Sequence, residues 1–150
     1  MREIFVRELR AMLWIEQHLA DNVLPDLHER AHSVDLRRAL DKYLLETQGH
    51  VANLRRVFAL VGEPDVPLEA PLPPPAEDGD FGILASVLRT EAYETASYRF
   101  LAHAAQALEV DGDAVRLLRL NMEQDAYAGE EAEHALVKLL AEKVSATEFR

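Results

Sequence analysis

Three acidic residues lie at the centres of apolar helical stripes, where charged side chains are not expected. On a helical wheel of about 100° per residue, Glu16, Glu91 and Asp125 each fall in the middle of a stripe of Leu, Val, Met and Ala side chains. His50 lies on the apolar side of a fourth stripe, and Glu46, one turn earlier, lies at its edge. Each of the four stripes therefore directs at least one carboxylate toward the interior.

Buried carboxylates need compensation, because burying an unpaired, ionised one costs several kcal/mol even after the protein relaxes. None of the four stripes carries an internal Lys or Arg. The closest basic residue is Arg99, near the edge of the stripe that contains Glu91. The remaining options are protonated carboxyl groups with raised pKa values, internal water, or metal ions. Two divalent cations would balance the four negative charges of Glu16, Glu46, Glu91 and Asp125.

A metal site built from these residues would present mainly oxygen ligands, and His50 would add one neutral nitrogen ligand. Oxygen ligation with a single imidazole suits iron or manganese better than zinc, which prefers nitrogen and sulfur. The chain has no cysteine, so thiolate ligands and disulfides are excluded. These residues predict two divalent ions, iron or manganese. Any one of the acids taken alone could instead be a helix-edge residue that reaches water.

The elements that must position these residues are predicted to be helices, with no strands. Leu, Ala, Glu and Arg with helical periodicity fill four segments, at about residues 2–31, 35–61, 80–108 and 113–144. Ser33 is predicted to cap the second helix. Pro25 is predicted to kink or fray the end of the first helix, because proline cannot donate a backbone hydrogen bond.

A long proline-rich stretch, Gly62 to Gly82, separates the two predicted helical hairpins. Short breaks near residues 32 and 110 join the helices within each hairpin. The chain is therefore predicted to be all-α, an antiparallel four-helix bundle in a single domain of residues 1–150. The long crossover, at about residues 62–80, gives it the connectivity of ferritin-like bundles.

The two predicted hairpins also place the acids at matching heights. The first turn, centred near residue 32, puts Glu16 level with residues 46–50. The second turn, centred near residue 110, puts Asp125 level with Glu91 and Glu94, and Glu94 therefore joins the candidate ligands. Two independent hairpins each place acid opposite acid, which scattered misplacements would not be expected to do.

Composition limits the classes of partner. The chain has 150 residues, of which 49% are hydrophobic and 29% charged, and its net charge is −11. This charge argues against binding to nucleic acid or to an anionic membrane surface. No apolar run approaches the roughly 20 residues that a membrane span needs. The N-terminus lacks a signal-peptide pattern, so a cytoplasmic location is expected.

Three motifs resemble those of the YciE/YciF-like ferritin-like proteins, the family of domain of unknown function 892. They are ELRAMLWIEQHL at Glu8 to Leu19, LLETQGHVANLRRVF at Leu44 to Phe58, and EAYETASY at Glu91 to Tyr98. The resemblance spans the chain apart from the crossover. It implies an antiparallel ferritin-like bundle, usually a homodimer, with a dinuclear metal site. On matching positions it points to the following residues as ligands: Glu16, Glu46, His50, Glu91 and Glu94.

The fourth helix departs from the family pattern. Where the family tends to have paired glutamates, this chain has Gln124-Asp125 within NMEQDAYAG. An Asp side chain is one methylene shorter than Glu, so the occupancy of a second metal site stays open. The crossover also differs, because PLPPP cannot form the helical turns that the family often has there.

The function predicted first is that of a ferritin-like di-metal carboxylate protein, by analogy an oxidoreductase that oxidises Fe(II) or removes peroxide in a stress response. The alternative is a non-enzymatic bundle with a metal-free or degenerate site, acting as a dimeric structural or stress-interaction protein. A two-metal hydrolase fits less well, because no phosphate-binding loop or oxyanion donors are evident.

A literal Glu-x-x-His motif, the pattern of two-metal bundle sites, occurs at Glu131 to His134. On the helical wheel these two residues fall about 120–180° from Asp125, on the outer face. We therefore expect the motif to belong to a solvated acidic surface and not to the metal site.

Overall fold

The computed structural model of the protein describes residues 1–74, 77 and 79–148, and every regular element in those ranges is helical. The helices are α1 (Arg2–His18), α2 (Leu24–Arg30), α3 (Val34–Val61), α4 (Gly79–Ala107) and α5 (Gly112–Glu148), and a π-helical turn, Leu19–Val23, joins α1 to α2. Helical dihedral angles continue on both sides of that turn, so α1 and α2 form one rod, the α1–α2 rod. The predicted all-α bundle of four long helices is confirmed.

Local capping fixes the ends of these helices. The Ser33 side chain accepts a hydrogen bond from the backbone N–H of Leu36 at 3.3 Å, as the sequence predicts for an N-cap. Gly62 ends α3 with a left-handed φ of 74°, which costs glycine little because it has no Cβ. Asp80, in the first turn of α4, accepts hydrogen bonds from the backbone N–H groups of His32 and Ser33 at 2.9 and 3.1 Å.

Pro25 does not fray the end of the first helical segment, which continues as α2 to Arg30. The change in register lies just before the proline, where the backbone N–H of Leu24 donates to the carbonyl of Leu19, the i to i−5 spacing of a π turn. Pro25 then sits in the first turn of α2, where its missing N–H costs least.

The helices pack as a bundle in which the α1–α2 rod and α5 both contact α3 and α4. The crossover from α3 to α4 runs along the length of the rod. It begins beside Arg2, whose guanidinium donates to the carbonyl of Val61 at 2.8 Å. It then passes Arg10, whose carbonyl accepts from the backbone N–H of Leu68 at 3.0 Å. Asp80 holds its far end against the turn before α3. This is the ferritin-like connectivity that the sequence predicts.

The core consists of two apolar clusters. One contains buried residues from most of α1 and the start of the π turn, the end of α3, the second half of α4 and the start of α5, with Phe5, Leu54 and Leu101 among them. The other contains buried residues from α2, the start of α3, the start of α4 and the middle of α5, with Leu27 and Leu40 among them. On α3, α4 and α5, the candidate ligands lie in the segment between the two clusters, and on α1 Glu16 lies at the end of the first cluster, between Ile15 and Leu19.

Within the described ranges, none of the helices is both long enough and apolar enough to cross a membrane.

Candidate metal centre

Five of the six predicted ligands are buried in the layer between the two apolar clusters. Their exposed fractions are 0% for Glu16, 1% for His50, 8% for Glu91, 1% for Glu94 and 3% for Asp125. They come from α1, α3, α4 and α5, so all four long elements contribute. The helical spacing of buried positions places each of them on the same face of its helix as the apolar residues above and below.

The five residues form two groups that share one carboxylate. Glu16, His50 and Asp125 make one group, and Glu91, Glu94 and Asp125 make the other. Within each group, one potential ligand atom from every member lies within 4.8 Å of the others. A buried Glu, His and Asp cluster that could hold a metal ion is therefore present, and Asp125 lies between its two halves.

The unsatisfied polar atoms of the protein are concentrated in this cluster. Among the described residues, six buried side-chain nitrogen or oxygen atoms lack a hydrogen-bond partner, and five of them belong to it. These five are Glu16 Oε2, His50 Nδ1, Glu91 Oε2, Glu94 Oε1 and Asp125 Oδ2. Leaving a buried polar atom unpaired costs about 1–3 kcal/mol. Metal coordination would satisfy all five atoms, so these residues fit the pair of metal ions that a ferritin-like bundle implies.

His50 is held in the orientation that a ligand needs. Its Nε2 lies 2.8 Å from Oε1 of Gln124, and an amide oxygen can only accept, so Nε2 carries the proton. In the neutral ring, Nδ1 then keeps its lone pair. Nδ1 lies 3.6 Å from Glu16 Oε2 and 3.6 Å from Asp125 Oδ1, too far for a good hydrogen bond. A lone pair that faces two carboxylates is unfavourable unless Nδ1 takes up a proton or a metal cation lies between them.

Tyr98 fixes the other side of the Glu16 carboxylate. Its hydroxyl donates to Glu16 Oε1 at 3.0 Å, and its ring is fully buried. The ring also meets His50 edge-on, with 6.0 Å between the ring centroids. Tyr98 therefore satisfies Oε1 and leaves Oε2 directed toward His50.

The electrostatics of the cluster favour its neutral or cation-bound forms. Burial, with the nearby Glu16 carboxylate, raises the pKa of Asp125 to about 8. Burial and the charge of Asp125 raise the pKa of Glu91 well above its ordinary value. Burial and the charge of Glu16 do the same to the pKa of Glu94. Without a metal, these raised pKa values favour the protonated carboxyl groups, and the pKa of Asp125 lies above neutral pH.

The charge of His50 responds to two opposing effects. Burial lowers the pKa of His50, whereas the adjacent Glu16 carboxylate raises it, and the net shift is upward. Within the described ranges, His50 is the only basic residue that forms an ion pair with the buried acids. Arg99 is exposed. The cluster thus holds more acid than its one imidazole can neutralise.

The structure does not bring Glu46, the sixth predicted ligand, into either group. Its side chain is half-buried, and its Oε1 lies 3.9 Å from Lys42 Nζ. Burial raises the pKa of Glu46, and the charge of Lys42 opposes that rise. Thr47, the next residue, occupies the inward position. The prediction that Glu46 is a ligand stays a prediction.

The Glu-x-x-His motif of α5 lies away from the cluster. Glu131 Oε1 accepts a hydrogen bond from Lys42 Nζ at 2.8 Å, and His134 is exposed. Gly129, one turn after Asp125, faces Glu91. A Cβ at this position would lie 3.5 Å from the Cβ of Glu91, an ordinary contact, so the glycine is not needed to make room for that side chain.

Sequence reasoning did not identify Gln124 and Tyr98 as hydrogen-bond partners of the centre, and it did not place Thr47 on the inward face of α3. A signal for Thr47 is the spacing of the buried positions of α3, which run in alternating steps of four and three residues through 36, 40, 43, 47, 50, 54 and 57 and also include 58. This alternation of four and three residues reaches 47 and passes over 46. Gln124 is half-buried, and its sequence signal is its place beside Asp125, where the family tends to have paired glutamates; its contact with His50 is seen only in the structure.

Comparison with known proteins gives the same fold. Residues 1–71 match the model of a family described as "Domain of unknown function (DUF892)". YcfI from Rhodopseudomonas palustris is 25% identical to this chain, with a TM-score of 0.79, and the match covers 89% of this chain and 92% of that one. The Escherichia coli stress protein YciF is 20% identical, with a TM-score of 0.76, and the match covers 93% and 96%.

A protein from Xanthomonas campestris is 20% identical, with a TM-score of 0.80, and the match covers 98% of both chains. At 20% identity, these last two likenesses establish the fold alone. No curated protein matches the chain. The resemblance to the YciE/YciF-like ferritin-like family is therefore confirmed, by a family match over the first 71 residues and by a shared fold over most of the chain.

Proposed function

We propose that this protein is a di-metal carboxylate oxidoreductase of the ferritin-like type, which binds two iron or manganese ions between its helices. Glu16, His50 and Asp125 would hold one ion, and Glu91, Glu94 and Asp125 the other. Asp125 would contribute to both sites, which is the role that a bridging carboxylate has in such bundles.

The observation that carries the proposal is the convergence of five unsatisfied ligand atoms in one buried layer. Four carboxylates and one imidazole are close to the ligand set of known two-metal bundles, and the donors suit iron or manganese. Surface carboxylates need no such explanation, because water satisfies them. Here the exposed fraction of every acid in the cluster is 8% or less.

The protein's own groups would position these ligands. Gln124 would hold the tautomer of His50 that presents Nδ1, and Tyr98 would hold the carboxylate of Glu16. Hydrogen-bond partners of this kind orient the residues that bind the metal and raise their basicity. The two apolar clusters above and below would exclude bulk water from the layer.

The bound metals would supply one-electron redox chemistry, and the reaction class is therefore oxidation of Fe(II) or removal of peroxide. The relative YciF is named as a stress protein, and a role in the response to oxidative stress is part of this proposal. The homodimer and the cytoplasmic location that the sequence predicts also remain proposals.

Metal analysis tests the proposal directly. Protein purified without chelator is dialysed against Mn(II), or against Fe(II) under anaerobic conditions, and the bound metal is measured by mass spectrometry. We expect about two ions per chain for the unaltered protein. Asp125→Asn should lose most of both ions, because it removes a donor shared by the two groups.

Glu131→Gln is the matched control, since it removes a carboxylate from the same helix but outside the cluster, and it should leave loading unchanged. Glu46→Gln decides whether the sixth predicted ligand takes part. Less than about 0.2 ions per chain in the unaltered protein after loading would reject the proposal, since a built site must fill under these conditions.

A specific observation favours one alternative, a metal-free bundle with a structural or interaction role. The raised pKa values of Glu91, Glu94 and Asp125 would let these carboxyl groups keep protons and hydrogen-bond one another without any metal. YcfI is described as having a proposed structural role, which is in line with the structural part of this alternative. Failure to load metal, with a stable folded chain, would support this alternative.

A further inference from the structure

Two cavities lie end to end between the α1–α2 rod and α4, and the inner one reaches the acidic cluster. The outer cavity is a groove of about 440 Å³, bounded on its solvent side by Leu72, Pro73 and Pro74 of the crossover. The inner cavity, of about 20 Å³, is lined by Glu91 and has room for about one water molecule.

The two cavities share one wall. Its residues are Leu19, Val23, Leu27, Ser86 and Thr90, and we call this wall the throat. The inner cavity alone adds deeper residues, which are Leu24, Tyr43, Thr47, Val87 and Glu91. A continuous series of lining residues thus leads from the crossover to a carboxylate of the candidate metal centre.

The backbone and the burial of Glu91 agree with this direction. Leu19 and Val23 are the two ends of the π-helical turn, so the irregular segment of the rod supplies one side of the throat. π-helical turns inside α-helices frequently occur at functional sites. Glu91 is 8% exposed, whereas the other acids of the cluster are 0–3% exposed, so the acid that lines the inner cavity is also the most exposed of the four.

We propose that this passage admits a small uncharged oxidant, of the size of dioxygen or hydrogen peroxide, to the Glu91 side of the centre. The throat has no charged residue, and its two hydroxyl groups are too few to replace the hydration shell of an ion. An anion would also meet the buried carboxylates. The small inner volume excludes bulky peroxides, and the hydroxyls of Ser86 and Thr90 can hydrogen-bond a peroxide.

The use of the passage to deliver an oxidant rests on the proposed function, but the existence of the passage can be tested in metal-free protein. Methyl groups of Leu24 and Val87, which line only the inner cavity, are observed by NMR with and without dissolved dioxygen, which is paramagnetic. Their dioxygen-induced relaxation should exceed that of Leu9 and Leu118, both fully buried elsewhere, by at least about twofold, as for a gas that enters a small apolar cavity.

Ser86→Leu should remove most of that enhancement by filling the throat. Ser97→Leu, the same change on the same helix but outside both cavities, should keep it. If Ser86→Leu does not fold, Thr90→Leu replaces it. Equal enhancement in the unaltered protein and in the throat variant would overturn the inference.

A second experiment distinguishes whether dioxygen, hydrogen peroxide or the metal ion passes through the throat. In Mn-loaded protein, Ser86→Leu should slow consumption of hydrogen peroxide at least about tenfold, an increase in the barrier of about 1.4 kcal/mol, while Ser97→Leu should not. If only dioxygen relaxation changes, the passage admits dioxygen and not peroxide. If Ser86→Leu instead slows the loading of Mn(II), the throat passes cations and the inference is wrong. If no metal loads at all, the proposed function fails independently of the relaxation result.

Discussion

At the scale of single residues, the contact between Gln124 and His50 determines which ring nitrogen faces the cluster. The amide oxygen of Gln124 accepts from Nε2 at 2.8 Å, so the lone pair of the neutral ring is on Nδ1, beside Glu16 and Asp125. A substitution that removed this acceptor would free the ring to rotate or to change tautomer, without touching any ligand.

We therefore expect Gln124→Leu to weaken metal binding by about 10–100-fold, the usual effect of losing a partner behind a ligating histidine. Affinity for Mn(II) is measured by competition with a chelator of known strength. Gln106→Leu is the control, because Gln106 Oε1 also accepts a 2.8 Å hydrogen bond, from Arg119, but at the surface. Unchanged affinity in Gln124→Leu would mean that Nδ1 of His50 is not a ligand atom.

The sequence predicts most of the candidate centre residue by residue. Glu16, Glu91 and Asp125 lie at stripe centres, and a residue there still faces the core when the helix is rotated by a few tens of degrees. Glu46 lies at a stripe edge, where a shift of one residue, about 100°, separates the core from the surface. The structure places Thr47 inward and Glu46 beside Lys42. A helical wheel drawn from a few apolar residues does not decide whether residue 46 or residue 47 faces the core. The spacing of all the buried positions of α3 shows that it is residue 47.

At the scale of elements, the helices follow closely from the sequence and the π turn does not. Ser33 predicts the start of α3, and Gly62 marks its end, because each residue has a local role that depends little on the rest of the fold. Pro25 predicts an irregularity but not its form. Whether a helix bends, frays or widens at a proline depends on its neighbours, and here the packing of Leu19, Leu24 and Leu27 keeps the rod continuous.

The junction between the two hairpins also depends on a local contact. Asp80 binds the backbone N–H groups of His32 and Ser33, and Ser33 in turn caps α3. This junction fixes the end of the long crossover against the opposite hairpin. The crossover has no regular structure of its own in the described part of the chain, so such contacts determine where α4 begins.

We expect Ser33→Ala to lower the free energy of unfolding by about 1 kcal/mol, through the loss of the N-cap hydrogen bond. Unfolding by urea, followed by circular dichroism, gives this value for the metal-free protein. Ser145→Ala, at an exposed position of α5, should change stability by much less. Equal effects of the two substitutions would show that the cap does not stabilise α3.

At the scale of the whole molecule, the bundle places a polar layer between two apolar clusters and must stabilise that layer with or without metal. The clusters supply the apolar burial that drives folding. The polar layer opposes folding whenever its carboxyl groups are ionised without a cation. Protons and metal ions are therefore competing ligands of the same layer, and stability should depend on both.

The sign of this dependence follows from the pKa shifts. The pKa of Asp125 rises from 3.8 to about 8 in the folded protein, mainly through burial, and those of Glu91 and Glu94 also rise. The folded metal-free chain then binds more protons than the unfolded chain at intermediate pH. Its stability is full below the unfolded pKa values and falls as pH rises, by up to about 1.4 kcal/mol per pH unit for each retained proton.

Metal-free protein should consequently be more stable to urea at pH 5.5 than at pH 8, and the raised pKa of His50 contributes in the same direction. Unfolding is measured at both values in the presence of a chelator and at fixed ionic strength. Asp125→Asn, which cannot ionise, should reduce the difference, whereas Glu131→Gln should leave it nearly unchanged because Glu131 lies at the surface beside Lys42.

Mn(II) should reverse the trend in the unaltered protein, because it binds the ionised carboxylates and displaces their protons. Greater stability at pH 8 without metal would contradict the view that the buried carboxyl groups retain protons in the folded chain.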